Sequence, residues 1–253
     1  MLALSAWVRS AIVAAVVGYG SMLPVTSGAD DADDLITGTR LAELLRAGRN
    51  IVSNYQELIN DPARGDKQLT SDRFTKEAIA LYSKRTGHDP LSGELSQRDK
   101  RLLNAQIEAM REVLDEQQAD INREGIGFKG FVPAVFARLV NEKFIAKVGE
   151  DARVRVTAPE YLVRNRKSLP DDWEARIIND VLSDPKRTKG EVYTEVAEAD
   201  GRPAFRMLLP EYYTESCLTC HGAPKGEIDV TGYPKEGGKA GDLGGAISIV
   251  LFK

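Results

Sequence analysis

The chain has 253 residues, of which 42% are hydrophobic and 28% charged, and its formal net charge is −4. That balance supports a packed core and excludes a chain too polar to fold. No block of Lys and Arg appears, so nucleic acid is not expected as a partner.

The first segment addresses the chain for export. Arg9 is followed by no charge until Asp30, and the apolar centre covers residues 11–17. Small residues at Ser27 and Ala29 suit cleavage before Asp30. This defines residues 1–29 as a signal peptide and residues 30–253 as a periplasmic body. The alternative is a retained membrane anchor, since the uncharged run ahead of Asp30 is about long enough to span a bilayer at roughly 20 residues. Glycines, serines and Pro24 dilute its second half, which favours cleavage.

A helical part follows, over about residues 34–122. Leu41, Leu44, Leu45, Val52, Tyr55, Leu58 and Ile59 recur at helical spacing and predict one helix over residues 34–60, ended by Asp61, Pro62 and Gly65. Ser71 is the expected cap of a second helix carrying Phe74, Ile79 and Tyr82. Residues 85–94 read as a turn-rich connection. A long third helix is expected over residues 96–121, with Leu103, Ile107, Met110, Leu114 and Ile121 as its apolar stripe.

The remainder, about residues 125–253, is expected to be mixed. Gly125, Gly127 and Gly130 permit a tight backbone path. Pro133 suits the first position of a helix that carries Val135, Phe136, Leu139 and Val140. Residues 152–158 alternate as a strand. Ser168 or Pro170 is the expected start of a short helix burying Trp173, Ile177, Ile178, Val181 and Leu182. Two alternating runs flank Asp200-Gly201 as a hairpin. Residues 246–252 read as a closing central strand. The order predicts an α+β fold, a mostly antiparallel sheet with long N-terminal helices packed on it, in a single exported domain.

The chemistry concentrates in "TESCLTCHGAPKG", residues 214–226, which holds both cysteines of the chain and one of its two histidines. A disulfide between Cys217 and Cys220 would close almost no loop and stabilise little. C-x-x-C-H is the sequence form of c-type haem attachment. Two thiols at this spacing reach two vinyl groups of one porphyrin, and His221 follows at once as the proximal iron ligand. A thioredoxin-like pair needs its first thiol at a helix N-terminus, and the motif is expected to lie between a strand and a loop, without one. A zinc site needs four ligands, and no second cysteine pair exists to complete it. One haem c is therefore the expected cofactor.

Three further blocks carry a resemblance: "GIGFKGFVPAVFARLVNEKF" (125–144), "RMLLPEYYTESCLTCHG" (206–222) and "GDLGGAISIVLF" (241–252). They are similar to the exported single-haem c-type proteins of the Tll-type family, in the same order and over about residues 41–252. The resemblance implies a PAS-like sensory sheet, one covalent haem on Cys217, Cys220 and His221, and redox or small-ligand sensing rather than a catalytic reaction. Some members are thought to bring a cysteine from the helical part to the distal side of the iron. This chain has no third cysteine, so that role has no counterpart here.

The sixth position then has three candidates: His88, Met110 and Met207. Each also has a plain reading, as an exposed turn histidine or as core methionines, and an open or water-filled position is a fourth possibility. Phe128 and Phe131 are candidate pocket walls beside the glycines, and Met207, on one strand face with Phe205 and Leu209, is a third candidate pocket residue. Lys225, Lys235 and Lys239 either meet haem propionates or belong to a solvated loop. The expected function is a periplasmic haem sensor of redox state or of a small ligand, with an electron carrier as the alternative and a thiol–disulfide oxidoreductase behind both. No transmitter segment appears in the sequence, so a sensor of this form signals through a separate redox or signalling partner.

Overall fold

The computed structural model describes residues 27–253. The expected leader, and the choice between its cleavage and its retention, lie outside the described residues except for the last three positions, which open the first helix. Among the described residues no helix is long and apolar enough to cross a membrane.

The helical part begins with α1 (Ser27–Asn54), broken at Tyr55 from a short α2 (Gln56–Asn60). The expected single helix over residues 34–60 is thus two. The Tyr55 N–H is shared between the carbonyls of Ile51 and Val52. Its hydroxyl is drawn off by Glu77 at 2.9 Å and Arg73 at 2.7 Å. This tertiary pull leaves no trace in the apolar spacing, which runs through the break.

Helix α3 (Ser71–Thr86) is capped by Thr70 rather than by Ser71. Thr70 holds the extended backbone a cap requires, and its oxygen accepts the Arg73 N–H. Helix α4 (Gln97–Ile121) is capped by Ser96 and buries the expected stripe. Helix α5 (Pro133–Val148) opens on Pro133, as its missing N–H favours.

Four strands follow: β1 (Ala152–Thr157), β2 (Tyr193–Ala199), β3 (Arg202–Tyr212) and β4 (Leu243–Phe252). They form one antiparallel sheet in the order β1-β4-β3-β2. Asp200 and Gly201 both take positive φ, 49° and 73°, the tight turn that matches strand twist. β4 is paired on both sides, which is why residues 246–252 are apolar or small throughout and buried.

Between β1 and β2 lies α6 (Asp172–Ile177). It starts after Asp171, beyond the expected Ser168 or Pro170, because Asp171 and Glu174 form a reciprocal capping box. It continues through a wider turn in which the Ser183 N–H reaches the Ile178 carbonyl.

The strands' alternation sorts the core. Phe205, Met207, Leu209, Ile247, Ile249, Leu251 and Val154 pack under the helices. Leu208 and Ala246 face the opposite way, onto Ile177, Ile178 and Leu182. Burying each such large aliphatic side chain contributes about 1.5–3 kcal/mol as an upper estimate. Helix α1 runs across β3 and β4. A Cβ on its Gly38 would sit 3.3 Å from Met207 Sδ, and one on its Gly48 would sit 2.9 Å from the Phe136 ring. The α+β architecture expected from the sequence is the one observed.

Candidate functional site

Beyond a register shift at Glu211/Tyr212, β3 delivers Tyr213 to the start of β4. The Tyr213 N–H donates to the Asp242 carbonyl at 2.9 Å, and its own carbonyl accepts the Gly241 N–H at 2.8 Å. The chain then tightens through residues 214–217 and runs straight into a single helical turn, α7 (Leu218–His221).

This corrects one expectation. The motif lies between β3 and a glycine-rich loop, as expected, but Cys217 stands at the N-cap of the four-residue α7, so the expected absence of a helix start does not hold. Cys217, Cys220 and His221 are related as i, i+3 and i+4, the spacing that gathers side chains on one face of a helical turn. Cys217 Sγ accepts the Thr214 N–H at 3.4 Å. Burial pushes the Cys220 thiol up, and the Asp229 carboxylate adds to this against the pull of Arg164.

His221 is held on two sides. Its Nδ1 lies 2.9 Å from Glu236 Oε2. Its ring stacks on Tyr213 with centroids 5.1 Å apart and planes 17° apart. Among the described residues Nε2 has no hydrogen-bond partner. Tyr213 is wedged in turn against two glycines: a Cβ on Gly238 or Gly244 would fall 2.6 or 2.4 Å from its ring. Burial, reinforced by the charge of Glu236, pushes the Tyr213 phenol up to about 12.

The centre of the bracing is Arg164, from the connection between β1 and α6. Its Nε donates to Glu236 Oε1 at 3.0 Å and its Nη2 to Glu236 Oε2 at 3.2 Å. Nη1 donates to Asp229 Oδ2 at 2.6 Å, and Nη2 also reaches the Cys220 carbonyl at 2.9 Å. The Asp229 side chain is fully buried. Burial works against its charge, but the Thr231 hydroxyl and N–H, Arg164 and the Tyr233 N–H hold it well below the usual carboxylate range. Burial likewise opposes the charge of Glu236, and Arg164 and His221 more than offset it. The loop closes on the turn through Gly238 N–H to the His221 carbonyl at 2.7 Å and Gly237 N–H to the Gly222 carbonyl at 3.1 Å. Arg164, Tyr213, Asp229 and Glu236 have no spacing signature around the motif. The only trace is Asp229-x-Thr231, a pattern that suits an Asx turn.

The motif meets α1 near that helix's C-terminal end, with Ser216 Oγ 3.3 Å from Ser53 Oγ. His88 lies elsewhere. It is exposed after α3, its Nδ1 on the Thr86 carbonyl at 3.0 Å, and it lines a cleft with Leu35, Thr39 and Arg40. From Thr39 to Ser53 an α-helix rises about 20 Å. Met207 is buried beneath the same far stretch of α1, where the Thr39 hydroxyl points at its Sδ from 3.9 Å. Met110 is buried in the helical layer against Gly48. None of the three is brought to the motif. Phe131 is buried edge-on to Phe136, and its carbonyl accepts from Gln56 at 2.9 Å, near the end of α1 that the motif touches. Phe128 is half-buried. Lys235 is paired with Glu227 at 2.7 Å, while Lys225 and Lys239 are exposed.

Fold and site together define an α+β module in which a braced Cys-x-x-Cys-His turn hangs from the end of an antiparallel sheet that is backed by helices. The chain belongs to the Tll0287-like family, whose model matches residues 93–251, well over half of its length and including the motif. Among solved structures, the crystal structure of the cyanobacterial heme-protein Tll0287 aligns at 19% identity and a TM-score of 0.38, over 48% of this chain and 72% of that one. No curated protein matches.

Proposed function

We propose that the chain is a periplasmic haem protein carrying one haem c, bonded through Cys217 and Cys220 and ligated by His221, and that it responds to redox state or to a small ligand. The observation that carries this reading is the α7 turn. It sets two thiols and an imidazole at i, i+3 and i+4, with the imidazole anchored through Nδ1 and its Nε2 left for a metal. This donor set fits a haem c: two sulfurs for two vinyl groups and one nitrogen for one axial position. When bound, the haem would supply a one-electron iron couple.

The protein's own part is to fix that nitrogen. Tyr213 sets the plane of the ring, Glu236 sets the tautomer, and Gly237 and Gly238 tie the returning loop to the turn. The separation of His88 and Met207 from the motif, and the burial of Met110 in the helical layer against Gly48, favour a distal position open to exogenous ligands, and with it sensing over plain electron carriage. Optical and EPR spectra of the ferric and ferrous protein, with and without CO, test this. The expected result is a haem c spectrum in which ferrous iron takes up CO readily. A six-coordinate ferrous iron inert to CO supports the electron carrier instead.

A further inference from the structure

His221 and Glu236 form more than a structural contact, because Glu236 is itself gripped. Oε2 faces Nδ1 of His221, while both carboxylate oxygens take guanidinium N–H bonds from Arg164. The stacking of Tyr213 on the imidazole holds the ring against rotation away from the carboxylate. A carboxylate that accepts the Nδ1 proton pushes electron density through the ring to Nε2, and a more basic axial nitrogen favours ferric over ferrous iron. Arg164 competes for the same oxygens, so the charge left for His221 depends on how tightly the guanidinium holds them.

We propose that Glu236 is a positioning residue that lowers the reduction potential of the iron by making His221 an electron-rich ligand, and that the bidentate Arg164 clamp limits how far it does so. This rests on the haem reading above.

The test is a spectroelectrochemical titration of the holoprotein and its variants, each first denatured to confirm that haem stays on the chain. Haem absent from the denatured wild type defeats the haem reading on which this proposal rests, whereas midpoints measured on haem-bearing protein bear on the proposal alone. In Glu236→Gln the midpoint potential is expected to rise. In Arg164→Lys the local charge is kept but the paired bonds are not, since an ammonium binds as a point charge; the potential is expected to fall. Glu227→Gln removes a carboxylate from the same loop without touching His221 and is expected to leave the potential close to wild type. Midpoints of Glu236→Gln and Arg164→Lys equal to wild type overturn the proposal, as does a Glu227→Gln shift as large as that of Glu236→Gln. If Glu236→Gln does not accumulate as holoprotein, a fall in Arg164→Lys upholds the proposal and an unchanged or raised midpoint overturns it.

Discussion

Tyr213 shows how single residues hold the site. Its ring fills the space that side chains on Gly238 and Gly244 would need, and it presents a flat face to His221. Gly244→Ala places a methyl group inside that ring's contact distance. We expect a loss of about 1–3 kcal/mol in a denaturant melt, together with a lower yield of haem-bearing protein. Wild-type stability and yield would show that Tyr213 has room to move. Asp229 makes a second prediction at this scale. Its carboxyl is depressed in the folded protein, so its contribution is complete above the ordinary carboxylate pKa of about 4 and fades as the pH falls below that value. Asp229→Asn leaves Arg164 short of a buried partner and is expected to cost about 3–5 kcal/mol at neutral pH. The gap between wild type and variant should narrow in melts taken between pH 5 and pH 2. A gap independent of pH contradicts the ion pair. Neither residue was readable beforehand, because what matters is its distance to a loop many positions away.

At the level of elements, helix α1 joins the two halves of the molecule. Two glycines make this possible: Gly38 over Met207 and Ile249, and Gly48 against Phe136. Gly48→Ala gains helix propensity but drives a methyl group into the Phe136 ring. We expect the clash to win, with a net loss of about 1–2 kcal/mol on thermal or chemical unfolding; a more stable variant would mean that α5 yields. The Asp171 capping box makes a separate case. Asp171→Ala removes the acceptor for the Glu174 N–H and is expected to cost about 0.5–2 kcal/mol. Asp171 also pairs with the buried Arg206, which places the loss toward the upper end of that range. The long helices and the central strand were legible because periodicity and continuous apolarity follow directly from burial on one face or on two. Their starts were less so. Thr70 and Asp171 cap where Ser71, and Ser168 or Pro170, were expected, since neighbouring residues can serve and only the backbone angle selects among them. The break at Tyr55 answers to Glu77 and Arg73, which local sequence does not reveal.

In the whole molecule, the long helices cover one face of the sheet, α6 lies against the other, and the Cys-x-x-Cys-His turn hangs from one end of it, by the C-terminal end of α1. This arrangement separates the motif from His88 and Met207 by roughly the length of α1 between Thr39 and Ser53. The motif itself was the most legible feature of the chain, because its chemistry depends on a spacing of three and four positions. Its partners were illegible for the opposite reason. Arg164, Glu236 and Tyr213 converge from three separate connections, and a residue list cannot show that they meet.

The central claim is a covalent haem on this turn, and the intact mass of the acid-denatured protein tests it most directly. After expression with the haem-attachment machinery, the account predicts one species heavier than the polypeptide by one haem, which persists in denaturant and vanishes in a Cys217→Ala, Cys220→Ala double variant. A denatured protein at the bare polypeptide mass, with both thiols open to alkylation, would contradict it.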